Sequence, residues 1–383
     1  MKVKIRILAM FLFLPLLGFG QTYTFSTIVK FPNTSKKGPA NPNELIIDGA
    51  GNLYGTSYYG GTFGVGSVFK VTPNHVLSVL YSFQNTTDGG FPVGPLVRDS
   101  AGNLYGETFS GGTSNYGTIF KVTPGGKESV LYNFSQELSV SGGDGLVMDS
   151  SGNLYGYDTA INGSVFELTT TGEYKTLYTF CQLSGCTDGA APMYRPTLKS
   201  NGVIYGVTEY GGDSSCLGDC GVVFELDTSG NETVLHTFTG GNDGESPSSN
   251  LAIDSSGNLY GTTGFGGTGK WGVMFKIDTS NNYSIFYNFC SQTNCADGSN
   301  PGGYLHISSG NIFGINQGNG QQPEPYGDIF KITTTGAESV LFTAAGPAKL
   351  GSGLVTDRSG NLYGTTWGGG PAHTGTVYKL IRN

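Results

Sequence analysis

Residues 52–83 read NLYGTSYYGGTFGVGSVFKVTPNHVLSVLYSF, and this stretch decides the fold. It holds three short segments rich in β-branched and aromatic residues, led by Leu53-Tyr54-Gly55, Val68-Phe69-Lys70-Val71 and Val79-Leu80-Tyr81. Gly-rich and Pro-containing turns separate them, which is the signal of strands joined by hairpins. The tripeptide recurs as Leu104-Tyr105-Gly106, Leu154-Tyr155-Gly156, Ile204-Tyr205-Gly206, Leu259-Tyr260-Gly261, Ile312-Phe313-Gly314 and Leu362-Tyr363-Gly364. That is seven copies, spaced 50 to 55 residues apart. Before a typical copy stands a fourth apolar stretch ending in Asp, such as Leu96-Val97-Arg98-Asp99. Four short antiparallel strands repeated seven times predict an all-β, seven-bladed β-propeller.

The termini predict how the ring closes. The chain after residue 20 opens with 24–31, TFSTIVKF, which matches a fourth strand with no first three before it. Residues 354–381 match the first three strands with no fourth after them. The N-terminal strand is therefore expected to pair with the C-terminal three, which removes an open sheet edge. No linker interrupts 21–383, so one propeller domain is expected there.

Composition agrees. Gly is 64 of 383 residues, and charged residues are only 13 %. Aromatics at 12 % exclude a solvated disordered chain. The Gly residues follow no three-residue period, so collagen is excluded. A helical solenoid would carry this Gly at about 1 kcal/mol per helix-interior position.

Residues 1–20 read as a signal peptide, with Lys2, Lys4 and Arg6 before the apolar run from Leu8 to Leu17, and Gly18 and Gly20 before the cut. Its loss takes the formal charge from −8 to −11. So acidic a chain repels phosphate backbones, and nucleic acid is not an expected partner. No later stretch is apolar enough for a membrane span. The six Cys fall into close pairs, Cys181/Cys186, Cys216/Cys220 and Cys290/Cys295. In an exported chain they read as disulfides, each worth roughly 2 kcal/mol in the chain-entropy account. Cross-linking between the first two pairs is the alternative connectivity.

The phrases Asn52 to Thr56, Gly60-Gly61, Gly66 to Lys70 and Val79 to Phe83, repeated at Asn361 to Thr366 and Gly375 to Lys379, resemble the GloVer-type tandem repeat family. The resemblance covers essentially all of 22–383. It implies an exported bacterial surface or secreted protein and brings no activity or catalytic residues. Members commonly carry a C-terminal anchoring segment, whereas this sequence stops at Asn383, so a secreted or periplasmic protein is expected; a monomer is expected as well.

In such a ring, second-to-third loops and blade-to-blade joins share one face. The second-to-third loops vary most in length and carry Tyr59, Tyr116, Tyr210, Trp271, Tyr326 and Trp367. Aromatic rings among few charges suit the apolar faces of sugars, so an extracellular glycan is the expected ligand, with a protein surface partner as the other choice. The same rings could instead pack the loops together. His373 is expected on this face, with Arg195 and Lys270 as candidate neighbours.

The joins carry Asp-Gly-x-x-Pro, beginning at Asp88, Asp188, Asp243 and Asp297, with Asp144-Gly145 as a partial copy. These carboxylates are candidate ligands for a calcium ion if they point inward. Otherwise Asp and Gly form a turn and Pro fixes the start of the innermost strand. No other cofactor is expected. The Asp-x-x-Gly-Asn turns at Asp48, Asp99, Asp149, Asp254 and Asp357 read as structural. The Gly after each Tyr is expected to lie under an aromatic of the Phe69 type from the neighbouring blade.

Catalytic motifs are missing: HExxH, GxSxG and a phosphate loop do not occur. His75, His236 and His306 read as structural. Glu107, Asp158, Glu209, Glu245 and Glu324 are carboxylates available near the loop face, which keeps a polysaccharide lyase or hydrolase as the alternative function. A purely structural surface module is the third.

Overall fold

A computed structural model describes residues 22–32, 38–135, 145–158, 161–213, 215–216, 220–318, 327–344, 349–351, 353–369 and 373–383. The expected signal peptide, Asp144, Glu324 and Tyr326 lie outside the described residues.

Seven antiparallel sheets form the seven blades of a propeller. Blade 1 is typical, with Pro39–Ile47, Leu53–Gly60, Ser67–Val71 and Leu77–Ser82 as its first to fourth strands from the channel outward. Blade 7 closes the ring as the sequence predicts. Tyr23–Lys30 pairs with Thr376–Arg382, placing Thr24 opposite Ile381 and Phe25 opposite Leu380. Asn383 N donates to Thr22 O at 3.0 Å, so the two ends meet.

Each blade buries its neighbour with one recurring ring pair. Phe83, just after the fourth strand of blade 1, packs edge-on against Phe120 of blade 2, with centroids 5.0 Å apart. Phe180–Phe224, Phe238–Phe275 and Phe289–Phe330 repeat the contact further round. Phe31 against Phe69, at 5.2 Å, carries it across the chain ends. Each pair adds about 1 kcal/mol beyond its buried area.

The Gly after each Tyr sits opposite that aromatic within its own sheet. Gly55 pairs with Phe69 across the second and third strands, and an added Cβ would lie 2.8 Å from Phe69 Cζ. The covering ring thus comes from the same blade, not the neighbouring one, because the register puts the two residues face to face. In blade 4 the neighbour does contribute, since Tyr157 of blade 3 also reaches over Gly206.

At the face holding the first-to-second turns, Asp48 Oδ1 accepts from the backbone N of Ala50 and Asn52, each at 2.9 Å. Its Oδ2 accepts from Asn52 Nδ2 at 2.9 Å and from Tyr54 Oη at 3.1 Å. The turn therefore explains both the Asn and the Tyr of the repeat, and Asp99, Asp149, Asp254 and Asp357 repeat it.

The first strands are not regular. Their register slips between Pro42 and Leu45, Val93 and Val97, Met193 and Thr197, and Gly302 and His306. Such bulges re-aim side chains, here beside the central channel.

All three disulfides close locally, Cys181–Cys186, Cys216–Cys220 and Cys290–Cys295. The first and third brace blade joins, and the second braces the second-to-third loop of blade 4. They mark a protein of a non-reducing compartment. Among the described residues, no helix is long and apolar enough to cross a membrane.

Candidate functional site

The loop face is built by the joins. Asp88 is buried and holds its own loop closed, accepting from Tyr81 Oη at 2.8 Å, Gln84 N at 2.9 Å and Thr86 N at 3.2 Å. Asp188 does the same for Tyr178 Oη and Gln182 N, and Asp297 for Tyr287 Oη, Ser291 N and Gln292 N. Asp243 accepts from Thr239 N at 3.0 Å and lies 3.2 Å from His236 Nε2. The Pro of each motif packs on a Gly of the preceding blade, Pro92 on Gly66 and Pro301 on Gly272. The four carboxylates thus serve four separate junctions. Among the described residues, no group of three His, Cys, Asp or Glu side chains is placed to hold a metal ion.

Three junctions gather a second acid. Burial, with Asp88 adding its charge, pushes Glu128 up to about 7. Glu232 beside Asp188 is likewise pushed up to about 7. Glu338 reaches about 8 through burial and the charges of Asp297 and Asp328. Burial also acts on Asp297, but hydrogen bonds from Ser291, Tyr287 and Gln292 outweigh it and hold its carboxyl below the usual range. Elsewhere the same space holds stacked rings, Tyr132 on Tyr174 at 4.3 Å and His236 on Tyr283 at 3.6 Å. The structural reading of His236 is consistent with that stack.

Around the loop face stand aromatic side chains half in solvent. Tyr59, Tyr210, Trp271 and Trp367 are 45, 42, 46 and 48 % exposed. Phe109 and Phe265, at 50 and 49 %, join them. Sequence reading missed these two, Phe109 because it stands one residue before its loop and Phe265 because Trp271 is the aromatic singled out in the same loop. Their offset of five or six residues from the tripeptide Leu, shared with Tyr59, Tyr210 and Trp367, is the signal that finds them. Tyr59 is steadied edge-on by Tyr58 at 4.8 Å. Tyr116 differs: it is half-buried and packs against the cluster of Phe134 and Leu146. His373 is exposed on this face. Beside Trp367 a small cleft of about 90 Å³ opens between blades 6 and 7, lined by Asn316, Gln317, Lys349 and Leu350 among others.

Of the carboxylates expected near this face, four lie among the described residues. Glu107 and Asp158 are buried to 1 and 0 % exposure, and Asp158 accepts from Ser164 Oγ at 2.6 Å and from Tyr174 Oη at 2.5 Å. Glu209 and Glu245 are half-buried.

Arg195 is placed differently from its expectation. The bulge between Met193 and Thr197 turns it into the central channel, away from His373 and the loop aromatics. There it lies over Tyr304, 5.6 Å from the ring centroid. His306 lines the same channel, where burial and the charge of Arg195 push its imidazole down to about 4. His306 thus stands in the first strand of blade 6, as the sequence reading has it, with its ring beside the channel.

The sequence pattern of the Gloeobacter/Verrucomicrobia repeat matches residues 19–219 and 214–383. The chain belongs to this repeat family. No curated protein matches it in sequence. The Gloeobacter/Verrucomicrobia repeat ring is similar in fold to the polysaccharide lyase Uly1, with TM-score 0.51, 11 % identity, and 90 % of each chain covered. A fungal alcohol oxidase of the AA5 family, in complex with copper, gives TM-score 0.59 at 12 % identity, covering 95 % of this chain and 76 % of its own. A gluconolactonase from Xanthomonas campestris gives 0.47 at 12 % identity, covering 90 and 97 %. At these identities the likeness is one of fold.

Proposed function

We propose that this chain is an exported β-propeller that binds an extracellular polysaccharide on its loop face. The observation that carries the reading is Trp367, half exposed beside a cleft lined by Asn316, Gln317 and Lys349. An indole supplies an apolar platform for a sugar ring, and the exposed Gln317 amide and Lys349 amine supply hydrogen bonds to its hydroxyls. Tyr59, Phe109, Tyr210, Phe265 and Trp271 extend the platform around the ring, so a polymer can engage several blades at once. Three disulfides and the N-terminal signal segment support life outside the cytoplasm. Loops of unequal length on a rigid ring are the usual seat of binding.

The test is affinity electrophoresis of the purified, disulfide-intact chain through gels holding plant and bacterial polysaccharides, with polymer length followed in parallel. Retardation by at least one polymer of unchanged length, weakened about tenfold in Trp367→Ala, is the expected result. Shortened or unsaturated products would replace binding with depolymerisation. Free migration through every polymer would remove the glycan reading.

A further inference from the structure

The channel opens on the face opposite the loops through a cavity of about 530 Å³. Its walls come from the ends of the first strands, beside the first-to-second turns. Two arginines, Arg98 and Arg195, and one histidine, His306, line it, and among the described residues no Asp or Glu does. In a chain with formal charge −8, that local balance is the reverse of the whole. The rest of the wall is largely apolar, including Ile46, Val97, Val147 and Ala252.

Arg195 is prepared to meet an anion. Among the described residues it makes no ion pair. Its head rests over Tyr304, and it stands between Pro196 and Tyr194, whose φ of 62° is a left-handed value that bulky residues rarely adopt. Such backbone strain is held where the surroundings over-determine it, and it fixes the direction of the neighbouring side chain. His306 adds a second group. Its Nε2 is buried and makes no hydrogen bond among the described residues, a state that buried polar atoms rarely keep without a partner to come. Arg195 and His306 line both this mouth and an inner compartment of about 230 Å³, and Glu44 lines only the inner one.

We propose that this channel mouth binds a small organic carboxylate with an apolar body, its oxygens held by Arg195 and His306 Nε2–H and its body against the valine and isoleucine wall. The guanidinium fork matches a carboxylate with two parallel hydrogen bonds, which an amide of the same shape cannot accept. The site is separate from the loop face and stands or falls apart from the glycan reading.

The probe is phenylacetate, titrated into the full disulfide-intact chain by calorimetry, with phenylacetamide, inorganic phosphate and glucuronate in parallel. Saturable phenylacetate binding, at least tenfold tighter than each of the other three, is the expected result. Arg195→Gln should weaken it at least tenfold, and His306→Gln several-fold, with circular dichroism melts confirming the fold. Arg195→Lys, which keeps the charge and loses the fork, should give an intermediate loss and serves if the Gln variant does not fold. Equal binding of the amide, unchanged binding by the Arg195 variants, or no saturation by phenylacetate would each overturn the site. Preference for phosphate or glucuronate would overturn the apolar-bodied ligand.

Discussion

The two faces of this ring are made by the same repeat and have come out differently. On the channel-mouth face, one turn is used again and again, with Asp48, Asp99, Asp149, Asp254 and Asp357 each serving an Asn and a Tyr of its own blade. Where the Asp is lost, the Tyr partner changes with it. Lys199 Nζ donates to Tyr205 Oη at 2.9 Å in blade 4, and blade 6 has Ser308 with Phe313 in place of the pair. On the loop face, four joins share an Asp, buried in three of them, and a Pro, while length, disulfides and exposed rings vary. A turn closed by side chains from three fixed positions tolerates little change. A loop anchored at one Asp is free beyond it. Variation therefore collects on the loop face, and on the other face in the turns of blades 4 and 6 and in the first strands that line the channel.

The largest test of this contrast compares one Asp from each face. Asp297 is buried and accepts four bonds, from Tyr287, Ser291 N and Oγ, and Gln292. Asp254 serves a turn whose donors can turn to water. Asp297→Ala should lower stability by roughly 3 kcal/mol and Asp254→Ala by about 1 kcal/mol, read by urea unfolding. Equal losses would break the distinction between a buried anchor and a surface turn.

Next comes pH. Glu338 is raised from 4.5 to about 8 in the folded chain. Its stabilising contribution is full below its unfolded value and is lost as pH rises through the folded one. Asp297, held low, contributes above its unfolded value and loses that only in acid. Melting temperature should fall from pH 5 to pH 9 on account of Glu338, with Glu128 and Glu232, both raised to about 7, adding to the fall. Glu338→Gln should flatten that fall and melt about 2 °C above the parent at pH 9, a modest figure because the group is part-exposed. A variant with the parent's slope would place the pH response elsewhere.

Smaller still, Tyr54→Phe removes one bond to Asp48 and should cost about 0.5–1 kcal/mol by thermal unfolding, with polysaccharide retardation unchanged. Smallest in stability are Phe109→Ala and Trp367→Ala. Both should stay within about 0.5 kcal/mol of the parent while weakening retardation. A large stability loss would mean that these rings pack the loops instead of facing a ligand.

The ring was legible because seven copies of one phrase repeat a single packing solution, and because 24–31 and 354–381 are complementary fragments of it. The site was less so. Phe109 looked like a strand residue and Phe265 shared its loop with Trp271, and only the place where each strand leaves its sheet exposes them. Tyr116 carried the same loop signal as Tyr59 yet turns into the core. Arg195 follows an Asp-Gly-x-x-Pro join, which suggested the loop face, but the bulge after Met193 carries it into the channel. Bulges and side-chain direction depend on partners far away in the chain, and a local phrase does not encode them. The short disulfide loops were readable because nearby Cys pairs behind a segment that reads as a signal peptide leave few other choices.

The protein has only two tryptophans, Trp271 and Trp367, and both stand half exposed on the loop face. Their fluorescence therefore reports on the proposed binding surface without any label. The most direct measurement is a titration of the intact chain with each polysaccharide of the panel, following emission intensity and wavelength. The account predicts a saturable change with at least one polymer, reduced in Trp367→Ala and unaffected by phenylacetate. A polymer that binds while leaving both tryptophans unchanged, or a panel that gives no change at all, would contradict it.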